Sequence, residues 1–104
     1  MAAIVVWTTL PSGRIGRKIA RQLIREKLAA CVSVGGPVES VYRWKGKIES
    51  IHETLLTIKT SRRVYPKLEK KLREIHPYES PEIIAVPVAR CAEKYLNWIE
   101  DSVK

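Results

Sequence analysis

The chain predicts an α+β fold, with a four-stranded antiparallel sheet, two crossover helices on one of its faces and a third helix at the end of the chain. Three observations predict it. Runs rich in β-branched residues alternate with segments whose apolar residues recur every three or four positions. Pro, Gly and Ser fall between these segments, where turns are needed. Two of the runs, joined at Lys45-Gly46, are much longer than a helix of this chain can cover.

Residues 3–9, AIVVWTT, form the first strand, closed by Pro11-Ser12-Gly13, and Ser12 caps a helix expected to run to about Ala29. Its apolar stripe is Ile15, Ile19, Leu23 and the Ile24/Leu28 pair. CVSV and VESVYRW then make one long strand with a bulge or bend at Gly35-Gly36-Pro37. Lys45-Gly46 suits a two-residue hairpin turn, which needs residues tolerant of positive φ. The partner strand KIESIHETLLTIKT places Ile48, Leu56 and Ile58 on one face and Ile51 and Leu55 on the other.

A second helix, from about Arg63 to Ile75, carries Val64, Leu68, Leu72 and Ile75, and Pro77 ends it because the residue before a proline is pushed out of the α region. EIIAVPV is the fourth strand; Pro87 keeps it short or at an edge. The last helix, Cys91 to Val103, presents Ala92, Tyr95, Leu96, Ile99 and Val103. The resulting β-α-β-β-α-β order is the split βαβ, or ferredoxin-like, arrangement. Fourteen residues of strand extend roughly 46 Å at about 3.3 Å per residue, so strands two and three overhang the helices. An apolar ribbon of this kind invites edge pairing unless another chain covers it, and an obligate oligomer is expected.

At this length the whole chain, 1–104, is expected to be a single domain, too small for a cleft between two lobes, so a sizeable pocket should lie between subunits. The net charge is +8. The basic residues, Arg14 to Lys27 in one segment and Lys67 to Arg73 in the other, fill the outward faces of the helices, which reads as a solvated surface rather than a nucleic-acid footprint. No long apolar segment or basic leader precedes the first strand, which predicts a cytoplasmic protein with no membrane partner. Cys31 and Cys91 are isolated, without CxxC or zinc spacing, and are expected to be reduced thiols. Asn97, Gln22 and Met1 are the only residues of their types, an avoidance of thermolabile side chains that points to a heat-adapted source.

The stretch EIHPYESPEII gathers one histidine, one tyrosine and three carboxylates around two prolines. His76 offers an imidazole, and Glu79 and Glu82 offer carboxylates, a mixed nitrogen and oxygen set that suits copper(II) or zinc better than calcium. The competing reading is a stiff corner. There His76 is favoured by the helix dipole, Tyr78 packs its ring, and Glu82 accepts hydrogen bonds or meets a basic residue of a neighbouring chain.

EKLAACVSV, SVYRWKGKIE, LLTIKT, HPYESPEIIAVPV and YLNWIEDSV occur in this order over nearly the whole chain, and together they resemble the CutA family of divalent-cation tolerance proteins. The resemblance implies a ferredoxin-like protomer, a homotrimer built from the long hairpins, and a cytoplasmic, non-catalytic role associated with copper and other divalent cations. It also implies a likeness to the trimeric nitrogen-regulatory PII proteins, which bind effectors in clefts between subunits. Metal-binding members use a cysteine near the end of the first strand and histidines immediately before the Pro-Tyr pair. Here that strand ends in Trp7-Thr8-Thr9, and Ile75 precedes His76, so only His76 and Glu82 remain as metal ligands of a depleted set.

Other reactive groups have two readings each. Cys31, in LAACVSV, is a buried inert thiol or a soft ligand for copper(I). Cys91, near a helix start, is a candidate for a lowered thiol pKa. Tyr42 and Trp44 pack at an interface, or they line an intersubunit pocket with Glu53, Lys59 and Tyr78. Three rival functions of the same fold fare poorly. An RNA-recognition sheet needs stacking aromatics, and SIHETLLTIKT has none. An acylphosphatase-like enzyme needs an arginine in a phosphate-cradling loop after the first strand, where Arg14 is the lone candidate; an MxCxxC metal chaperone needs the missing CxxC. No GxSxG, Gly-rich phosphate loop or isolated carboxylate pair supports an enzyme.

Overall fold

A computed structural model describes residues 2–104. The elements are β1 (Ala3–Leu10), α1 (Gly13–Arg25), β2 (Cys31–Trp44), β3 (Lys47–Ser61), α2 (Tyr65–Ile75), β4 (Ile84–Pro87) and α3 (Glu93–Ser102). The sheet runs β2-β3-β1-β4 with every neighbouring pair antiparallel, the ferredoxin-like order expected from the sequence.

Alternation along the central strands sets the core. Ile4, Val6, Thr8 and Leu10 of β1 and Leu56, Ile58 and Thr60 of β3 are buried on the face covered by the helices, where Ile19 and Leu23 of α1 and Leu68 and Leu72 of α2 pack against them. Gly16 lets α1 approach closely, because a Cβ there would stand 3.1 Å from Thr54 Cγ2. The opposite face, with Val5, Trp7, Leu55, Thr57 and Val86, is only half-buried.

Several boundaries differ from the sequence reading for identifiable reasons. Helix α1 stops four residues short of Ala29, since Lys27 takes φ 59° and the chain closes in a Schellman motif. Its two bonds are Lys27 N–H to Ile24 O and Leu28 N–H to Leu23 O, each 3.0 Å. A lysine holds the position where glycine is usual, so the stop signal is hidden. Ile24, expected in the apolar stripe with Leu28, lies exposed, whereas Leu28 is buried. Helix α2 starts two residues late, with Pro66 in its first turn. Strand β4 is trimmed to four residues, and Tyr95 of α3 is exposed beside Trp98, 5.5 Å between ring centroids.

The expected irregularity in β2 is present as a register shift between Gly35 and Val38. Lys45 at φ 50° and Gly46 at φ 77° make the tight turn, matching the right-handed strand twist. Beyond the bulge the hairpin leaves the helices behind, and the molecule measures 45 × 26 × 22 Å. Val41, Trp44 and Ile48 are 64%, 60% and 72% exposed.

At the other end of β3, Arg63 clamps the chain terminus. Its Nε meets Glu100 Oε1 at 3.2 Å and its Nη2 donates to the carbonyls of Glu100 and Val103, while the Ser61 hydroxyl donates to Glu100 Oε2 at 2.9 Å. This fixes α3 against the start of α2.

Candidate functional site

Helix α2 ends where His76 turns to extended backbone, φ −72° and ψ 135°, so its side chain is swung off the helix and toward the end of β1. There the imidazole Nε2 lies 3.0 Å from the Thr9 carbonyl and 3.1 Å from Thr8 Oγ1. Its Nδ1 accepts the Tyr78 backbone N–H at 3.1 Å. An N–H can only donate, so Nδ1 is unprotonated and the ring carries its proton on Nε2, donating to Thr9. The residue is 7% exposed, and its ring packs at a 45° tilt against that of Tyr78, 4.9 Å between centroids. Burial lowers its pKa from the usual histidine value, against the opposing pull of the Thr9 carbonyl and the Glu53 carboxylate.

Tyr78 extends the chain of contacts by donating its hydroxyl to Glu53 Oε2 at 2.6 Å. Burial, reinforced by Glu53, raises the phenol pKa, so it stays a donor. Glu53 sits on β3 opposite Val38, at the bulge, where the hairpin leaves the body. Thr8, Thr9, His76, Tyr78 and Glu53 thus form one polar line from the end of β1 to the root of the hairpin, buried except at the half-buried Tyr78.

This line brings together part of the residues singled out from sequence. Glu53 and Tyr78 are bonded, and Tyr42 lies on the same hairpin, paired with Glu49 four residues from Glu53. Trp44 is at the hairpin tip, six residues beyond the Val38/Glu53 pair, with Lys45 Nζ 5.9 Å from its ring centroid. Lys59 is six residues away in the other direction, beside Cys31, so each stands about 20 Å from Glu53 at ~3.3 Å per residue. Within one chain the five do not line one pocket.

The proposed metal ligands are also set apart by their surroundings. His76 has no free lone pair, and a cation on it must displace the Tyr78 N–H or the proton shared with Thr9. Glu82 is exposed in the segment before β4 and makes no ion pair among the described residues. Cys31 and Cys91 are half-buried free thiols. Among the described residues no three His, Cys, Asp or Glu side chains cluster as a cation would need. The donor set of a single chain does not fit a resident divalent cation.

The sequence reading missed Thr8 and Thr9, noting them only where a cysteine was absent. A signal was present: Thr8 is a polar residue at a core-facing position of an otherwise apolar strand, and such a group needs a partner.

The sequence model of the CutA1 divalent ion tolerance protein family matches residues 4–102. A divalent-cation tolerance protein CutA of Thermus thermophilus is 41% identical over 98 residues, covering 94% of this chain and 95% of its own. A chloroplastic protein CutA of Arabidopsis thaliana is 41% identical over 102 residues, and the chain spans 56% of its length. Among solved structures, CutA1 from Oryza sativa superposes with a TM-score of 0.97 at 39% identity, covering all of this chain and 95% of that one. The periplasmic divalent cation tolerance protein CutA from Archaeoglobus fulgidus gives 0.94 at 32% identity, covering 98% and 99%.

Proposed function

Because the chain belongs to the CutA1 divalent ion tolerance protein family, we propose that it acts as a non-catalytic, cytoplasmic homotrimer in divalent-cation tolerance, taking up copper, another divalent cation or a small effector in clefts between subunits. The observation that carries this reading is the overhanging hairpin, whose apolar side chains are exposed on both faces: Trp44 on one, Val41 and Ile48 on the other. Monomeric proteins rarely leave such contiguous apolar surface in water, and neighbouring hairpins would cover it. Clefts formed this way would let Tyr42, Trp44 and Lys59 of different copies meet the Glu53–Tyr78 pair.

Any cation site of this kind draws its ligands from more than one chain, with the unpaired Glu82 carboxylate as the first candidate and Cys31 as a soft ligand for copper(I). The two free thiols accord with a reducing compartment. The near-absence of Asn, Gln and Met accords with heat resistance.

A second reading, a structural or partner-binding trimer that does not itself hold metal, is favoured by the occupied imidazole of His76. Sedimentation and calorimetric titration with copper(II) and zinc test both. A trimer with saturable binding that Glu82→Gln weakens supports the cation reading; a trimer with a flat titration leaves the second, and a stable monomer overturns both.

A further inference from the structure

The ridge of α1 beside the edge strand β2 carries Arg17, Arg21 and Arg25, spaced four residues apart and therefore aligned on one side of the helix. Between this ridge and β2 lies an open groove of about 510 Å³, whose apolar lining includes Ile24, Val32 and Val34. Val32 and Val34 pair with Ile58 and Leu56, so the groove opens on the helix-covered side of the sheet, away from the face of Trp7 and Leu55.

None of the three guanidinium groups has an ion-pair partner among the described residues. The single carboxylate of α1's end, Glu26, is held by Gln22 and by Lys71 at 3.4 Å. Three like charges at four-residue spacing repel one another, and of the three only Arg25, in the last turn, is favoured by the helix dipole. Ile24 beside them is exposed at the cost of its hydration. A row of unpaired arginines along one rim and aliphatic side chains along the floor complement a molecule that has a carboxylate at one end and a hydrocarbon body at the other.

We infer that this groove is a binding site for a free long-chain carboxylate, its head group held by Arg21 with Arg17 or Arg25 and its tail laid over Ile24, Val32 and Val34. The size falls within the roughly 300–1,000 Å³ of small-molecule sites, and the ridge from Arg17 to Arg25 gives it a length of about 12 Å at ~1.5 Å per residue. Guanidinium groups grip carboxylates with paired parallel hydrogen bonds, so the arginines select the head group while the floor selects the tail.

The test is titration of the assembled protein with dodecanoate below its micellar concentration, followed by calorimetry and by amide shifts of Ile24, Val32 and Val34. Saturable binding of one dodecanoate per chain is expected. Arg21→Gln and Ile24→Ser, both at exposed positions, should each weaken it about tenfold. Lys70→Gln, which removes the same charge from α2, should leave it unchanged. Acetate and dodecyltrimethylammonium should not bind. Equal loss from Lys70→Gln and Arg21→Gln would reduce the effect to diffuse attraction and overturn the assignment. So would equal binding of the cationic surfactant, tighter binding of an oligoglutamate peptide, which would indicate an acidic protein partner, or no saturable binding at all.

Discussion

The two halves of β3 obey the same alternation and meet different surroundings. From Glu53 to Ser61 every residue is buried or half-buried, with Leu56, Ile58 and Thr60 under the helices. From Lys47 to His52 all six residues are exposed, although Ile48 and Ile51 continue the apolar pattern. Hydrophobic periodicity reports what a strand is able to bury; whether it does so within its own chain depends on how far the helices reach. With α1 and α2 at thirteen and eleven residues, they cover about 20 and 17 Å at ~1.5 Å per residue, whereas the hairpin strands are fourteen and fifteen residues long. The inner half of β3 stabilises the protomer, and the outer half leaves its apolar side chains in solvent within the single chain.

The sharpest way to separate the halves is to change one aliphatic side chain in each. Leu56→Ala, in the fully buried half, should cost about 2–5 kcal/mol through lost contacts and a residual cavity, measured by denaturant unfolding at fixed protein concentration. Ile48→Asp alters a side chain that is 72% exposed in the isolated chain. If copies cover it, each loses about 1.5–3 kcal/mol of burial, and the assembly should dissociate on dilution while circular dichroism of the fold persists at high concentration. An Ile48→Asp protein with the wild-type sedimentation profile would show that the outer half is not an interface.

A smaller effect is expected at the root of the hairpin. Treated as a residue beyond the helix end, His76 invites a cost of about 0.3–1 kcal/mol on removal, the size of a dipole interaction. The structure gives it more to do. His76→Ala strips partners from the Tyr78 N–H, the Thr9 carbonyl and the Thr8 hydroxyl, and a loss of about 2 kcal/mol or more follows if each buried group left unpaired costs about 1–3 kcal/mol. Thermal unfolding of the variant decides between the two magnitudes.

The contrast also explains what could be read in advance. The element order, the overlong hairpin, its Lys45-Gly46 turn and the bulge after Gly35 follow from periodicity and turn chemistry, which are local. The line from Thr8 to Glu53 joins residues 25 to 68 positions apart, and no spacing rule connects them. His76 is equally able to bind a metal or to brace a corner as a residue type; only the Tyr78 N–H against its Nδ1 shows which lone pair is already used. The end of α1 was hidden for a different reason, since Lys27 adopts a backbone conformation for which its type gives no warning.

The mildest perturbation of the bracing line is acid. Burial holds the His76 pKa below the usual value of about 6.5 that the unfolded chain would show. Between the two values the unfolded state binds the proton and the folded state does not, so stability rises with pH across that interval. The contribution is fully present above about pH 6.5 and is lost as pH falls toward the depressed folded value. Protonation at Nδ1 would also set two N–H groups against each other, because Tyr78 N–H points at that nitrogen; the Glu53 carboxylate, held through the Tyr78 hydroxyl, is the nearby charge that softens the penalty. Midpoints of urea unfolding measured from pH 8 to pH 5 should therefore fall on acidification in the wild type. In His76→Gln the decline over this range should flatten. Parallel curves for the two proteins would show that the imidazole is not held neutral, and the tautomer that denies His76 to a metal would go with it.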